Sequence, residues 1–340
     1  MNNIYDLFTI NLQAFAYDPQ AQPVNYTGAE NLSAEMKTYY DMTLIDVAEG
    51  ELIHDQFAQK RNIPQGSGKT IEFRKFDSLP KAMTPLVEGV TPDGESLNVS
   101  AITATVAQYG SFVTFTDMLE LTTIDNVILE ATKKLGSQAG RTLDAITRDV
   151  LQSGTNVSYC PQIAVDGTET EVTSRADLDE TCVLTVDVVL QQVTKLRAQN
   201  APTIDGKYVA IIHPYVAYDI MRDPEWIEAH KYSAASNLFE GEIGEIAGCR
   251  FVQSSEAKIY EGGVFGSLFM GADAYGTTEI TGGGLETIIK QKGSAGTADP
   301  LNQRSTVGWK AIKTAEILVP QYLIRVESKS SRFSNNAVAN

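Results

Sequence analysis

Between Ile124 and Gln152 apolar residues recur at Ile124, Ile128, Leu135, Ala139, Leu143, Ile146 and Val150, three, four or seven apart. That spacing lines one stripe of a helix. It predicts a single helix over 124–152, about 43 Å long at 1.5 Å per residue, against the usual three or four turns. Thr122, with Asp125 three residues on, resembles a capping box, and Gly154 marks the stop. Glu130 with Lys134, and Asp144 with Arg148, are acid-before-base pairs one turn apart and are expected on the exposed side. Gly136 and Gly140 share a face. Each costs a helix about 1 kcal/mol against Ala, so the pair is read as admitting a close neighbour.

Before this helix the period changes to two. Thr70-Ile71-Glu72-Phe73-Arg74 and Ala101-Ile102-Thr103-Ala104-Thr105-Val106 alternate as strands, and Gln108 to Phe115 continues the second. The stretch between them, 77–100, is broken by Pro80, Pro85, Gly89, Pro92 and Gly94. Two strands with such a tip make an extended β-hairpin, too long for a tight turn. A two-stranded hairpin is marginal in water, so this one is expected to rest on something else, such as another subunit.

After the long helix, 155–184 reads as a β-rich turn region. Val186, Val189, Leu190, Val193 and Leu196 define a second amphipathic helix capped by Thr185. Tyr208 to Ile212 is a compact apolar run, hence a buried strand. His213-Pro214 starts a short helix with Pro near its first position, ending near Asp223-Pro224. Strands follow around Arg250–Gln253 and Leu268–Gly271. The alternation of helix and strand predicts a compact α/β domain over 183–310. Within it, 281–304 is rich in Gly, Ala and Thr and is expected to be a mobile surface loop. Ala315 to Val326 reads as one long strand and 328–340 as a frayed polar tail. At the other end, 1–32 looks like an extended arm. Met36, Tyr39, Tyr40, Leu44 and Val47 give 33–58 helical character, with a second short helical piece over Leu52–Phe57.

Composition narrows the function. The chain has 340 residues, 43% hydrophobic and 21% charged, enough apolar material for more than one core. A net charge of −16, with basic residues no denser than doublets such as Lys60-Arg61, Arg74-Lys75 and Lys133-Lys134, argues against a dedicated nucleic-acid binder. No run is long and apolar enough to span a bilayer, and Met1 to Asp6 carries no secretory signal. Cys160, Cys182 and Cys249 are few, odd in number and far apart in sequence, which suggests synthesis in a reducing compartment without a disulfide framework.

Candidate chemistry does not assemble. Gly66-Ser67-Gly68-Lys69-Thr70 resembles the end of a phosphate-binding loop, but Ile63 stands where a glycine is needed and a strand follows where a helix should. Gly282-Gly283-Gly284 lacks dinucleotide-loop spacing. His54, His213 and His230 include no helical metal pair. His213, at a strand end, is the one histidine placed like an active-site residue, and a turn cap is the favoured reading. No nucleophile elbow or acid/base pair stands out. No catalytic, cofactor-binding or metal residue is assigned, and the chain is read as a non-enzyme.

Three stretches carry a resemblance. They are Thr84-Pro85-Leu86-Val87-Glu88-Gly89-Val90-Thr91-Pro92 with Gln108-Tyr109-Gly110; Ile212-His213-Pro214 with Asp223-Pro224-Glu225-Trp226; and Gly244 to Val252, echoed by Gly308-Trp309-Lys310. In this order, and with the sequence of elements above, the chain resembles the major capsid proteins of tailed bacteriophages, whose fold is shared with encapsulins and herpesvirus shells. The resemblance implies an α+β capsid fold with an N-terminal arm (1–65), an extended β-hairpin loop (66–117) over a neighbouring subunit, a peripheral domain (118–182 and 311–340) with the spine helix 124–152, and an axial α/β domain (183–310). It implies hexamers and pentamers of this chain in an icosahedral head shell, located in the virion and assembled in the host cytoplasm. Double-stranded DNA would be enclosed without specific binding, with a separate scaffolding protein, a portal, no membrane and no cofactor. Lys69 and Lys81 lie in the loop, but no pair marks itself as a cross-link. The alternatives are an encapsulin-like compartment holding cargo enzymes and, further off, an α/β enzyme using His213.

Overall fold

A computed structural model of the chain describes Leu44, Val47, Ala48 and residues 52–340, apart from 65, 67, 77–78, 80, 84, 86–88, 90–93, 123–126, 165–166, 231–243, 281–283 and 295–298. Its strands are β1 (Gln59–Ile63), β2 (Thr70–Phe76), β3 (Val99–Thr105), β4 (Ala107–Thr116), β5 (Val157–Tyr159), β6 (Gln162–Ile163), β7 (Glu169–Thr170), β8 (Tyr208–Ile212), β9 (Gly244–Ile246), β10 (Cys249–Gln253), β11 (Ile259–Tyr260), β12 (Val264–Met270), β13 (Tyr275–Ile280), β14 (Glu286–Lys290), β15 (Arg304–Ile317) and β16 (Leu323–Ser328). Its helices are α1 (Asp117–Thr122), α2 (Val127–Gln152), α3 (Val186–Ala198), α4 (Pro214–Met221) and α5 (Pro224–His230).

Among the described residues two large sheets carry this α+β fold. One has five strands in the order β1-β13-β15-β14, with β4 also paired to β15. The other has seven, in the order β5-β16-β12-β8-β10-β9, with β11 on β12. β8 shows why a continuous apolar run forms a strand here. All five of its residues are buried. Tyr208, Ala210 and Ile212 pack with α3, α4 and Trp226, while Val209 and Ile211 pack with Leu151, Tyr275 and Leu323 on the opposite face. Both faces of the sheet are covered, so no position needs to be polar.

α2 lies on the five-stranded sheet. Leu135, Ala139 and Leu143 meet Phe115, Val307, Trp309 and Ala311. The last three come from alternate positions of β15, the inward half of its period of two. Gly136 faces the helical residues Leu44 and Val47, and a Cβ there would fall 2.9 Å from the Leu44 carbonyl oxygen. This is the close neighbour that the glycine spacing predicted.

Several expectations are corrected. Glu130 takes Lys133, at i+3, at 3.0 Å. Asp144 and Arg148 are not on an exposed face; both are buried, because α2 is covered on two sides and not one. Leu52–Phe57 is a run of turns and not a helix. β4 follows β3 with only Val106 between them, but its partner is β15 and not β2. The 281–304 stretch contains β14, whose Thr287-Ile288-Ile289 core pairs with Gly308 to Trp309 and neighbours in β15. The long C-terminal strand is two strands, β15 and β16, split at a turn over Pro320–Tyr322 and sent to different sheets. The polar tail is folded down: Ser330 and Ser334 are buried and Asn340 bonds both ways with Ile259. α5 adds a helix that the sequence reading did not contain. The arm, the Met36–Tyr40 stripe and the Thr122–Asp125 cap fall wholly or partly outside the described residues.

Candidate assembly surfaces

The segment 52–58 enters the body between α2, β13 and β15, and polar groups hold it there. His54 is fully buried; its ring Nδ1 lies 2.6 Å from Asp144 Oδ2, and its backbone N–H donates to Asp144 Oδ1 at 2.7 Å. Tyr275 Oη donates to the His54 carbonyl. One turn along α2, Thr147 Oγ1 donates to Asp55 Oδ1 at 2.6 Å. Lys313 from β15, only 2% exposed, pairs with the other Asp55 oxygen and donates to the Leu143 carbonyl at 3.2 Å. A buried charge is tolerable only when paired and hydrogen-bonded, which these are. The sequence reading passed over this cluster. One signal was available, since Lys313 shares the inward parity of Val307, Trp309 and Ala311.

From this anchor the chain runs through β1 into the hairpin. Gly66 and Gly68 have φ of +86° and +93°, so this glycine stretch is a turn into β2 and no helix follows. β2 and β3 pair antiparallel from Thr70↔Thr105 to Phe76↔Val99. The base of the hairpin is packed: Phe73 and Ala104 meet Leu318 and Val319, and the Arg61 guanidinium lies 5.5 Å from the Phe73 ring centroid. The far end is not. Leu79, Met83, Leu97 and Val99 are all more than half exposed. β3 runs almost directly into β4, and both follow the line of β15, with Ala107 opposite Lys313 and Ala104 near Leu318. The exposed residues lie at or beyond the Phe76↔Val99 end of the β2–β3 pair, opposite the end at which the chain connects to β1 and β4.

β4 presents a second such surface. It has ten residues without a charge or a proline, and among the described residues it pairs only with β15. Phe112 is 70% exposed, and Met118 and Leu301 nearby are also exposed. Long uncharged strand edges are templates for further pairing, and proteins normally blunt them. This edge is not blunted.

The candidate chemical residues are placed otherwise. His213 caps α4: its Nδ1 accepts from the Tyr215 backbone N–H at 3.1 Å, and the ring packs on Phe265. Burial pulls its pKa down to about 4. Lys69 and Lys81 are exposed. Among the described residues no cluster of His, Cys, Asp and Glu could hold a metal ion, and no helix is long and apolar enough to cross a membrane.

The phage capsid protein family model matches residues 100–325, well over half of the chain. No curated protein sequence matches it. Among solved structures, the capsid of Ralstonia phage GP4 is similar over 92% of this chain and 96% of its own, at 17% identity and a TM-score of 0.61. The capsid of the cyanophage P-SCSP1u is similar over 81% and 87%, at 14% identity and a TM-score of 0.61. A virus-like particle from Pyrococcus furiosus is similar over 86% and 99%, at 10% identity and a TM-score of 0.51. At such identities these structures establish the fold. The family match, the capsid fold and a hairpin with exposed apolar residues agree: the chain belongs to the phage capsid protein family and is a structural, shell-forming subunit of a virion.

Proposed function

We propose that copies of this chain close into an icosahedral head shell, as rings of six and five, around a double-stranded DNA genome. The observation that carries this reading is the hairpin: Leu79, Met83, Leu97 and Val99 are apolar and more than half exposed, at or beyond the end of the paired part of β2 and β3. Burying them against a neighbour recovers about 25 cal/mol per Å² of apolar surface. Subunit stability and assembly are then linked. In this reading 66–117 lies over the next subunit, 118–182 and 311–340 form the peripheral part with α2 as its spine, and 183–310 gathers at the ring axes. Contacts around those axes are heterologous, and curvature closes the shell.

The net charge of −16 suits a wall that does not grip packaged DNA. The role is structural and not enzymatic, assembly takes place in the host cytoplasm, and a separate scaffolding protein and a portal complete the head. A family match to phage capsid proteins favours this over a cargo compartment. Electron microscopy and elution volume of the purified chain, alone and with the co-expressed scaffolding protein, test it. Closed shells with hexagonal and pentagonal capsomers are expected. A compact single molecule that forms no cages under either condition contradicts the proposal, and packaged enzyme in place of genome turns it into the compartment reading.

A further inference from the structure

Cys160 and Cys182 are far apart in sequence, yet the fold brings them to one place. β5 runs parallel to β16 with Tyr159 opposite Glu327, and the next residue, Cys160, donates its N–H to the Glu327 carbonyl at 3.0 Å. The chain then leaves this edge and returns at Cys182, whose carbonyl accepts from the Lys329 N–H at 2.8 Å, with Val183 bridged to Lys329. Arg325 also bonds to this side, through Asn156, so 325, 327 and 329 face one edge and β12 occupies the other. Ser328 is therefore the register neighbour of both cysteines.

The two attachment points are two residues apart on β16, at most about 7 Å along the strand. A disulfide bridges Cα atoms about 4.4–6.8 Å apart. Both side chains are fully buried in the same apolar cluster, and both thiols are free. Cys249 belongs to that cluster too, but it sits on β10, three strand spacings or about 14 Å from β16.

We propose that Cys160 and Cys182 form a disulfide across the neck of the 161–181 excursion when the protein meets a peroxide. The Cys182 thiolate attacks one peroxide oxygen, the O–O bond breaks, hydroxide leaves, and a sulfenic acid remains. The Cys160 sulfur then attacks the Cys182 sulfur, the S–S bond forms, and water leaves. Two electrons and two protons pass from the thiol pair to hydrogen peroxide, giving two waters.

Burial raises the pKa of both thiols, so they stay protonated and inert while the excursion is closed. Oxidation therefore proceeds through opening of 161–181. Polar bonds hold that segment at several points, among them Arg175 to Glu327 and Asn335 to Glu180. The reaction is slow, limited by opening, and faster in Arg175→Ala.

Full-length protein is treated with hydrogen peroxide, denatured, alkylated and weighed. The expected product is lighter than the reduced chain by two hydrogens, takes alkyl groups only at Cys249, and yields a linked Cys160–Cys182 peptide after digestion. A reducing dithiol restores three alkylatable cysteines, and Cys182→Ser abolishes the link. Two free alkylatable thiols at 160 and 182 after prolonged treatment overturn the proposal. So does irreversible oxidation of either without a link, or pairing with Cys249. The wild-type result needs no variant to fold.

Discussion

Replacing Lys313 by Met removes one charge from a site where the other is largely buried. Lys313 is 2% exposed and Asp55 8%. In the variant the Asp55 carboxylate keeps Thr147 as a donor and loses its counter-ion. Breaking one side of a buried pair costs about 3–5 kcal/mol, against a whole-protein stability of about 5–15 kcal/mol. At about 2 °C per kcal/mol for a long chain, the melting temperature of dispersed subunits falls by about 6–10 °C. Asp55→Leu alone leaves the ammonium buried and costs a similar amount. The double variant Asp55→Leu/Lys313→Met buries no charge, and apolar replacement of a buried pair is often near neutral. It therefore melts well above the sum of the two losses, which a double-mutant cycle by thermal or urea unfolding reads directly. Melting of Lys313→Met within about 1 °C of wild type, or strict additivity in the cycle, would refute the view that these groups act as one anchor for the segment 52–58.

Other outcomes follow from the same geometry. Gly136→Ala improves helix propensity by about 1 kcal/mol but sets a Cβ 2.9 Å from the Leu44 carbonyl oxygen. The net effect is a loss of about 1–3 kcal/mol from overpacking, seen as a lower urea midpoint. The His213 pKa is depressed to about 4 from an ordinary 6.5 by burial. The unfolded state thus takes up the proton first, and stability drops as pH falls from 6.5 toward 4; His213→Asn, which keeps a capping acceptor, flattens that slope in unfolding titrations across the window. Met83→Ser with Leu97→Ser leaves the subunit melting temperature unchanged, because both side chains are exposed, and reduces the yield of closed shells by light scattering or electron microscopy.

Much of the architecture was legible because it rests on local patterns. The α2 stripe, the β8 run, the Thr185 cap and the His213-Pro214 helix start each follow from a few consecutive residues, and each is present. Tertiary partners decided the rest. Asp144 and Arg148 have the spacing of a solvent-facing pair, yet Asp144 meets His54 from 90 positions away, and no local rule carries that information. Leu318-Val319-Pro320 reads as strand until β15 and β16 are seen to serve different sheets. The 281–304 loop hid β14 because a short β-branched run gains its stability from an edge of β15 and not from itself. The amino-acid order alone determined the α2, α3 and α4 helices, the buried run of β8 and the alternation of β2 and β3. Only the folded arrangement decided which charges are buried, which strands share a sheet, and that two distant cysteines flank one residue of β16. The physical reason is that periodicity is written within a turn or a pleat, whereas burial depends on what packs from elsewhere.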